Sequence, residues 1–258
     1  MRLLHAALLI LPLVLSPARA QGPSAPPAAQ VGVDEKLGAG VPKDLTFKDE
    51  EGKDVKLGSL LGKPTVLTLN YYRCAGICTP QLNGFVDVLQ KVKPLPGQDF
   101  QVITVSFDPR DTPDIAVTKR ANYLKQVGRP IEPHGWRFLT GPGETSRALA
   151  DAVGFKYKQE GGEFIHAAAL MILSPDGKVT RYMYGVDFLP ADLEMALQEA
   201  ARGEARPTIS KWLSICFTTD PEGRRTVFSF TRTAAVVLIL GAIVFGIIAA
   251  RRGRRKAS

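Results

Sequence analysis

Apolar residues recur along the chain with two spacings, and segments of one spacing alternate with segments of the other. Residues 63–72, 100–107 and 136–141 are short apolar runs rich in β-branched and aromatic side chains, a pattern typical of buried strands. Apolar positions three and four residues apart predict helices over 111–128 and 143–155. This alternation indicates a sheet with parallel strands and with helices packed on its faces.

Another helix is predicted directly after the sequence Cys-Ala-Gly-Ile-Cys at residues 74–78. Thr79 can cap its first turn, and Pro80 suits its first position. The apolar residues of this helix share one face: Leu82, Phe85, Val86 and Leu89. A strand therefore ends in a pair of cysteines where a helix begins.

Two hairpins and a closing helix complete the predicted order of elements. Residues 44–57 alternate around a Glu-Gly pair, and residues 164–173 and 178–185 flank a Ser-Pro-Asp-Gly turn. Residues 189–203 have helical spacing. A strand that leads into a cysteine pair, followed later by a ββα unit, is thioredoxin-like organisation. The predicted fold class is therefore α/β, a thioredoxin-like fold with an N-terminal β-hairpin.

Both ends of the chain carry targeting signals. Residues 1–20 combine an early arginine, a short apolar run and small residues before Gln21, as in a cleaved secretory signal peptide. Residues 233–250 contain no charge. They would span about 27 Å as a helix, close to the hydrocarbon thickness of a bilayer. The basic residues that follow, within 251–258, predict a cytoplasmic C-terminus.

These signals predict a single-pass protein of the bacterial inner membrane, with its main domain in the periplasm or extracytoplasmic space. The net charge of +8 comes mostly from the leader and the tail. The exported portion is nearly neutral, which gives no electrostatic reason to expect nucleic acid as a partner. The predicted segments are a signal peptide at 1–20, a flexible lead at 21–42, a thioredoxin-like domain at 43–205, a juxtamembrane linker at 206–232, one transmembrane helix at 233–250 and a basic tail at 251–258.

Cys74 and Cys78 are the first candidates for chemistry. The helix N-terminus beside Cys78 favours a thiolate and lowers the thiol pKa. The pair could form a redox disulfide or bind one soft cation, and we expect it to be exposed, as a loop-to-helix junction usually is in this fold. Cys216 precedes the apolar span and is predicted to be a packed or membrane-surface thiol.

Histidine is scarce, because only His134 and His166 remain once the predicted leader is removed. His134 lies in a Pro/Gly loop and is expected to be solvated. His166 opens a predicted hairpin strand, at the place where a thioredoxin-like fold approaches the cysteine loop and usually has a cis-proline. No proline occurs between Pro142 and Pro175. His166 is therefore predicted to be a metal ligand.

Two thiolates and one imidazole form a soft donor set, which suits Cu(I), with Cu(II) as a second oxidation state. Zinc would need a fourth ligand, and the sequence offers no obvious candidate. Met171 and Met183 carry thioethers but are expected to pack in the core. An alternative is that His166 acts as a general base beside a cysteine nucleophile.

The chain resembles the Sco/SenC family, copper-binding thioredoxin-like factors in cytochrome c oxidase assembly, over about residues 44–201. Cys74-x-x-x-Cys78 falls on the family's cysteine motif, and VSFDPRDTP at 105–113 is similar to its Asp-Pro-x-Arg-Asp-Thr segment. The sequence HAAALMILSPDG matches the stretch between its ligand histidine and a Pro-x-Gly turn. The resemblance implies copper ligation by Cys74, Cys78 and His166. It also implies, as partner, the CuA-bearing subunit of cytochrome c oxidase or another copper protein.

The sequence departs from the family pattern beside all three implied ligands. Ala75 and Thr79 stand where prolines usually follow the cysteines, and Ile165 stands where an acidic residue usually precedes the histidine. A carboxylate at that place could orient the imidazole or raise its basicity, so its loss bears on metal affinity.

Several hypotheses of function follow. The first is a membrane-anchored copper chaperone, which is not primarily an enzyme. The second is a thiol–disulfide reductase that keeps the recipient's cysteines reduced, although the wide cysteine spacing and the absent proline weigh against it. The third is a redox sensor. Asp108, Arg110 and Asp111 are interpreted as a local ion pair with helix capping by Asp111 or Thr112, or alternatively as residues of a partner-docking surface.

Overall fold

The computed structural model describes residues 31–74 and 76–207, together with the backbone of 217–219 and 226–228. The predicted signal peptide, Cys216 and the predicted transmembrane helix lie outside the described residues. Among the residues that are described, no helix is both long enough and apolar enough to cross a membrane.

The strands and helices follow the predicted order, with three additions in the main domain. These are a short first strand, a 3-10 turn at Leu57–Leu60 and an extra hairpin strand. The elements are β1 (Gly32–Val33), β2 (Thr46–Lys48), β3 (Asp54–Lys56), β4 (Thr65–Asn70), α1 (Cys78–Leu89), β5 (Gln101–Ser106), α2 (Pro113–Val127), β6 (Trp136–Leu139), α3 (Gly143–Ala152), β7 (Phe155–Glu160), β8 (Glu163–His166), β9 (Ala169–Leu173), β10 (Val179–Tyr184), α4 (Pro190–Ala201), β11 (Phe217–Thr219) and β12 (Thr226–Phe228).

A central sheet of five strands has the order β10-β9-β4-β5-β6. Strands β4, β5 and β6 are parallel, whereas β9 runs antiparallel to both β4 and β10. Helices α1, α2 and α4 cover one face, and α3 packs on the other face beside the β2–β3 hairpin. Because both faces are covered, the strands are continuous apolar runs rather than alternating ones. The predicted α/β organisation is confirmed.

A second sheet, of order β1-β7-β8, was not predicted, and it carries His166. The prediction of one strand over 164–173 is wrong, because the chain breaks it into β8 and β9. His166 is consequently the last residue of β8 instead of an early residue of the long strand. The turn between β7 and β8 consists of Gly161 and Gly162, whose φ angles of +57° and +89° suit glycine. Four of the six residues of β7 are polar, so its apolar signal in the sequence is weak.

Candidate metal centre

Three separate segments bring Cys74, Cys78 and His166 together. Cys74 lies in the loop after β4, Cys78 is the first residue of α1, and His166 ends β8. One ligand atom from each residue lies within 4.8 Å of the others. The Cys78 sulfur and the His166 Nε2 atom are 3.0 Å apart. The three residues predicted as ligands are therefore close enough to share one ion.

All three side chains are buried, which contradicts the expectation of an exposed junction. Cys74 is 7% exposed, Cys78 is 3% exposed and His166 is 8% exposed. The reason is the unpredicted hairpin of β7 and β8, whose aromatic residues close over the loop between strand and helix. A buried site of this kind excludes most competing water ligands.

The imidazole of His166 is held in one orientation. Its Nδ1–H donates to the carbonyl oxygen of the next residue, Ala167, at 2.9 Å, which leaves the Nε2 lone pair facing the thiols. The rings of Tyr71, Phe107 and Phe155 surround it, with centroid distances of 6.1, 5.3 and 5.9 Å. The backbone carbonyl thus supplies the orienting hydrogen bond that a carboxylate at Ile165 could have supplied.

The two thiols have opposite electrostatic environments. The pKa of Cys74 is lowered, chiefly by a hydrogen bond with the Cys78 thiol and further by His166 and Tyr71. Burial raises the pKa of Cys78. The sequence-based prediction of a lowered pKa at Cys78 is therefore wrong, since desolvation outweighs the helix N-terminus there. Cys74 is the thiol that loses its proton first.

The start of α1 also differs from the prediction. The helix begins at Cys78, and Ile77 occupies the capping position without a side-chain hydrogen bond. Thr79 is consequently inside the first turn, where its hydroxyl faces the carbonyl of Cys74 at 3.5 Å. Pro80 is the third helical residue, which is still tolerated because the first turn needs no N–H donor.

A carboxylate near the site comes from an unexpected position. The hydroxyl of Tyr71, just before the cysteine loop, donates to the carboxylate of Glu163 at 2.6 Å. Burial raises the pKa of Tyr71, and Glu163 raises it further, so the phenol remains a donor. Glu163 lies three residues before His166, on the same strand. This contact joins the cysteine loop to the histidine hairpin.

The first half of the Asp-Pro-Arg-Asp motif also holds the hairpin. Asp108 accepts hydrogen bonds from the guanidinium of Arg110, and the two charged groups are 2.8 Å apart. The same guanidinium donates to the carbonyl of Gly162 at 2.9 Å and lies 5.9 Å from the centroid of the Phe164 ring. The predicted local ion pair is confirmed, and it reaches the turn between β7 and β8.

The second half of the motif holds the cysteine loop. A carboxylate oxygen of Asp111 accepts hydrogen bonds from the Tyr72 amide at 2.6 Å and from the Ser106 hydroxyl at 2.7 Å. Its other oxygen is 3.4 Å from the Arg73 guanidinium. Helix α2 begins after Thr112, which makes no side-chain capping bond. Thr112 thus occupies the predicted capping position, but the interpretation of capping by a side chain is wrong for both Asp111 and Thr112.

The remaining sequence candidates lie away from this cluster. His134 is exposed in its loop, and Met171 and Met183 are buried in the core, as predicted. Sequence reasoning missed Glu163, because nothing in the pattern revealed the hairpin. It also missed Gln81, a fully buried polar residue three positions after Cys78 on the apolar face of α1.

Comparisons with known proteins agree on one family. The family model described as SCO1/SenC matches residues 34–202. The SCO1 protein homolog of Bacillus subtilis (strain 168) is 32% identical over 153 residues, which cover 57% of this chain and 76% of that protein.

Solved structures show the same fold. One is BsSco, described as a member of the Sco family of cytochrome c oxidase assembly proteins in which a disulfide switch was identified. It is 28% identical with a TM-score of 0.52, over 66% of this chain and 98% of that one. Another is ScoI of Arabidopsis thaliana with copper bound, 23% identical with a TM-score of 0.50, over 65% of this chain and 99% of that one. These likenesses confirm the thioredoxin-like fold.

Proposed function

Since the chain belongs to the SCO1/SenC family, we propose that it binds copper and acts as a copper chaperone in cytochrome c oxidase assembly. The observation that carries this proposal is the cluster of Cys74, Cys78 and His166, whose ligand atoms lie within 4.8 Å of one another. The relative BsSco is described as a member of a family of oxidase assembly proteins.

The donor set fits copper better than other common ions. Two sulfur ligands and one imidazole suit Cu(I), which is stable with few and soft ligands, and they also accept Cu(II). Among the described residues, no fourth His, Cys, Asp or Glu joins the cluster, and structural zinc usually needs four. The lowered pKa of Cys74 favours a thiolate ready for metal binding. Loading with copper displaces the remaining thiol proton, so binding is coupled to proton release.

We propose further that the recipient is the CuA-bearing subunit of the oxidase. Copper is the cargo, and thiolates of the recipient would replace Cys74, Cys78 and His166 one after another. The predicted signal peptide at 1–20 and apolar segment at 233–250 support an exported, membrane-anchored domain. In this proposal the folded domain, from β1 (Gly32–Val33) to the end of α4 (Pro190–Ala201), lies outside the inner membrane.

A second candidate function is thiol–disulfide exchange with the recipient. Two observations favour it: Cys74 and Cys78 are both free thiols with nearby sulfurs, and BsSco is described as having a disulfide switch. In that reaction the recipient's disulfide accepts two electrons and two protons and becomes two thiols, while Cys74 and Cys78 form a disulfide. Removal of the imidazole would leave most of this activity intact, whereas loss of either thiol would abolish it.

The decisive experiment is a Cu(I) titration of the reduced protein in competition with a chromogenic Cu(I) chelator. We expect one copper per chain, and we expect His166→Ala to weaken binding by at least about tenfold, because one of three ligands is lost. His134→Ala is the matched control, since that histidine lies exposed in a loop, and it should bind as the wild type does. Absence of binding, or equal binding by His166→Ala and the wild type, would refute the chaperone proposal.

A further inference from the structure

One buried side chain, on the helix that carries Cys78, bonds to strands that lie close in sequence to Cys74 and His166. Gln81 is fully buried and lies one helical turn after Cys78 on α1. Its Nε2 atom donates to the carbonyl of Ala169, the first residue of β9, at 2.8 Å. Its Oε1 atom accepts from the side-chain amide of Asn70, the last residue of β4, at 3.1 Å. Each of these contacts lies three or four residues from a ligand.

The bond to Ala169 lies where the ladder between β4 and β9 ends. The last pair of that ladder is Thr68 and Leu170, so Ala169 faces Tyr184 of β10 on one side and has no partner residue on β4 on the other. A buried carbonyl without a donor is costly, and Gln81 supplies the donor that a longer strand would otherwise supply. His166 is only three residues before Ala169. The position of the histidine is thereby tied to α1.

The bond to Asn70 connects the same glutamine to the other thiol. Asn70 is 1% exposed and lies four residues before Cys74. Since the amide nitrogen of Gln81 faces the Ala169 carbonyl, its oxygen must face Asn70, which fixes the Asn70 amide as the donor. The two amides therefore have one consistent orientation rather than several.

Among the described residues, the side chain of Gln81 bonds only to the central sheet, but it does so where the chain arrives from His166, because β8 ends at His166 and β9 begins at Ala169. Cys74 and Cys78 follow the central sheet, whereas His166 ends a strand of the second sheet. We propose that Gln81 is a positioning residue, which sets the distance between the Cys78 sulfur and the His166 imidazole and so completes the three-ligand site. This inference rests on the proposed copper-binding function and identifies how the chain holds the third ligand in place.

The test compares Gln81→Leu with a matched control in the full chain, purified in mild detergent. The control is Thr180→Val, because the hydroxyl of Thr180 also donates from a buried side chain to a carbonyl of β9, that of Ile172 at 3.0 Å. Cu(I) affinity is measured by chelator competition. We expect Gln81→Leu to bind about 10–100-fold more weakly than the wild type, as is usual when a group that orients a ligand is lost. Thr180→Val should remain within about twofold of the wild type, since Thr180 bonds to Ile172 rather than to a residue near a ligand. Substitutions at separate places act independently.

A double-mutant cycle with His166→Ala separates positioning from a general loss of stability. If Gln81 acts through the histidine, His166→Ala should cost little in the Gln81→Leu background and its full amount in the Thr180→Val background. The Cu(II) forms give a second readout, since a bound imidazole nitrogen splits the electron paramagnetic resonance signal. We expect that splitting to weaken in Gln81→Leu and to persist in Thr180→Val.

Two results would overturn the inference without touching the proposed function. One is wild-type affinity for Gln81→Leu, and the other is full additivity of Gln81→Leu and His166→Ala, while the wild type still binds copper through His166. If Gln81→Leu does not fold, Gln81→Met decides the matter, because methionine keeps the length and nearly the volume of the side chain but cannot donate to Ala169. Wild-type binding by Gln81→Met would then refute the positioning role, and weakened binding would support it.

Discussion

Gly84 lies inside α1, on the side of the helix that contacts the loop after β10. An alanine Cβ at this position would lie 1.6 Å from the carbonyl oxygen of Val186 and 2.8 Å from its carbonyl carbon. Atoms in proteins essentially never approach a Cβ more closely than 3.0 Å, so the helix and the loop would have to separate by about 1.4 Å. Because α1 carries Cys78 and Gln81, such a movement would extend to the metal centre.

The sign of the effect of Gly84→Ala follows from two opposing terms. Alanine is favoured over glycine in a helix by about 1 kcal/mol. Forcing extra volume into a packed region costs about 1–3 kcal/mol. The upper end of that cost applies here, since the obstructing atoms belong to the backbone and cannot rotate away. We therefore expect Gly84→Ala to reduce the free energy of unfolding by about 2 kcal/mol.

Urea unfolding followed by far-UV circular dichroism measures this loss. With a urea dependence of about 2 kcal/mol per molar, the midpoint should fall by about 1 M. Gly143→Ala is the control, because a Cβ at this first residue of α3 would meet only side-chain atoms of Pro109, at 3.7 Å. That variant should unfold at or slightly above the wild-type midpoint. A Gly84→Ala protein as stable as Gly143→Ala would show that the packing of α1 against the loop does not constrain the helix.

Three further substitutions test other contacts. Arg137→Met should lower the free energy of unfolding by about 2–3 kcal/mol in urea, because the buried carboxylates of Asp49 and Glu50 lose a charged donor while Glu50 keeps Arg120 at 3.4 Å. Tyr71→Phe should cost only about 1 kcal/mol by the same assay, since Glu163 is exposed and can turn to water once the hydroxyl is gone. The pKa of Asp176 is lowered to about 2, first by a hydrogen bond from a lysine two residues further on. The ionised Asp176 therefore stabilises the fold above the ordinary carboxyl pKa of 3.8, and this stabilisation is lost as the pH falls towards 2. The difference in urea midpoint between the wild type and Asp176→Asn should accordingly shrink between pH 6 and pH 3.

The sequence was sufficient for the central sheet because that sheet is buried on both faces. Strands β4, β5 and β9 have continuous apolar runs, and the helices between them have clear amphipathic spacing. The cluster of Cys74, Cys78 and His166 could be predicted from residue types alone, because cysteine and histidine are rare in the chain.

The second sheet could not be predicted in the same way. Strand β7 has three exposed polar residues at its end, so its apolar pattern is short. One of its two partners, β1, lies far away in sequence. The burial of the thiols, and the resulting rise in the pKa of Cys78, depend on that sheet. The role of Gln81 depends on where the ladder between β4 and β9 stops, which the apolar pattern does not encode.

The short strand β1 has a practical consequence for anyone who shortens the chain. It is the outer strand of the sheet that carries His166, and it pairs through Gly32 and Val33 with β7. A fragment or proteolytic product that starts at residue 40 would lose this strand, and the hairpin with His166 would then be held by its aromatic packing and by the contacts of Arg110 and Tyr71. We expect such a fragment to keep both thiols but to hold its imidazole less firmly, since a hairpin with fewer neighbours is less stable. A fragment that starts at residue 31 keeps the whole sheet, so copper affinities measured on the two fragments should differ.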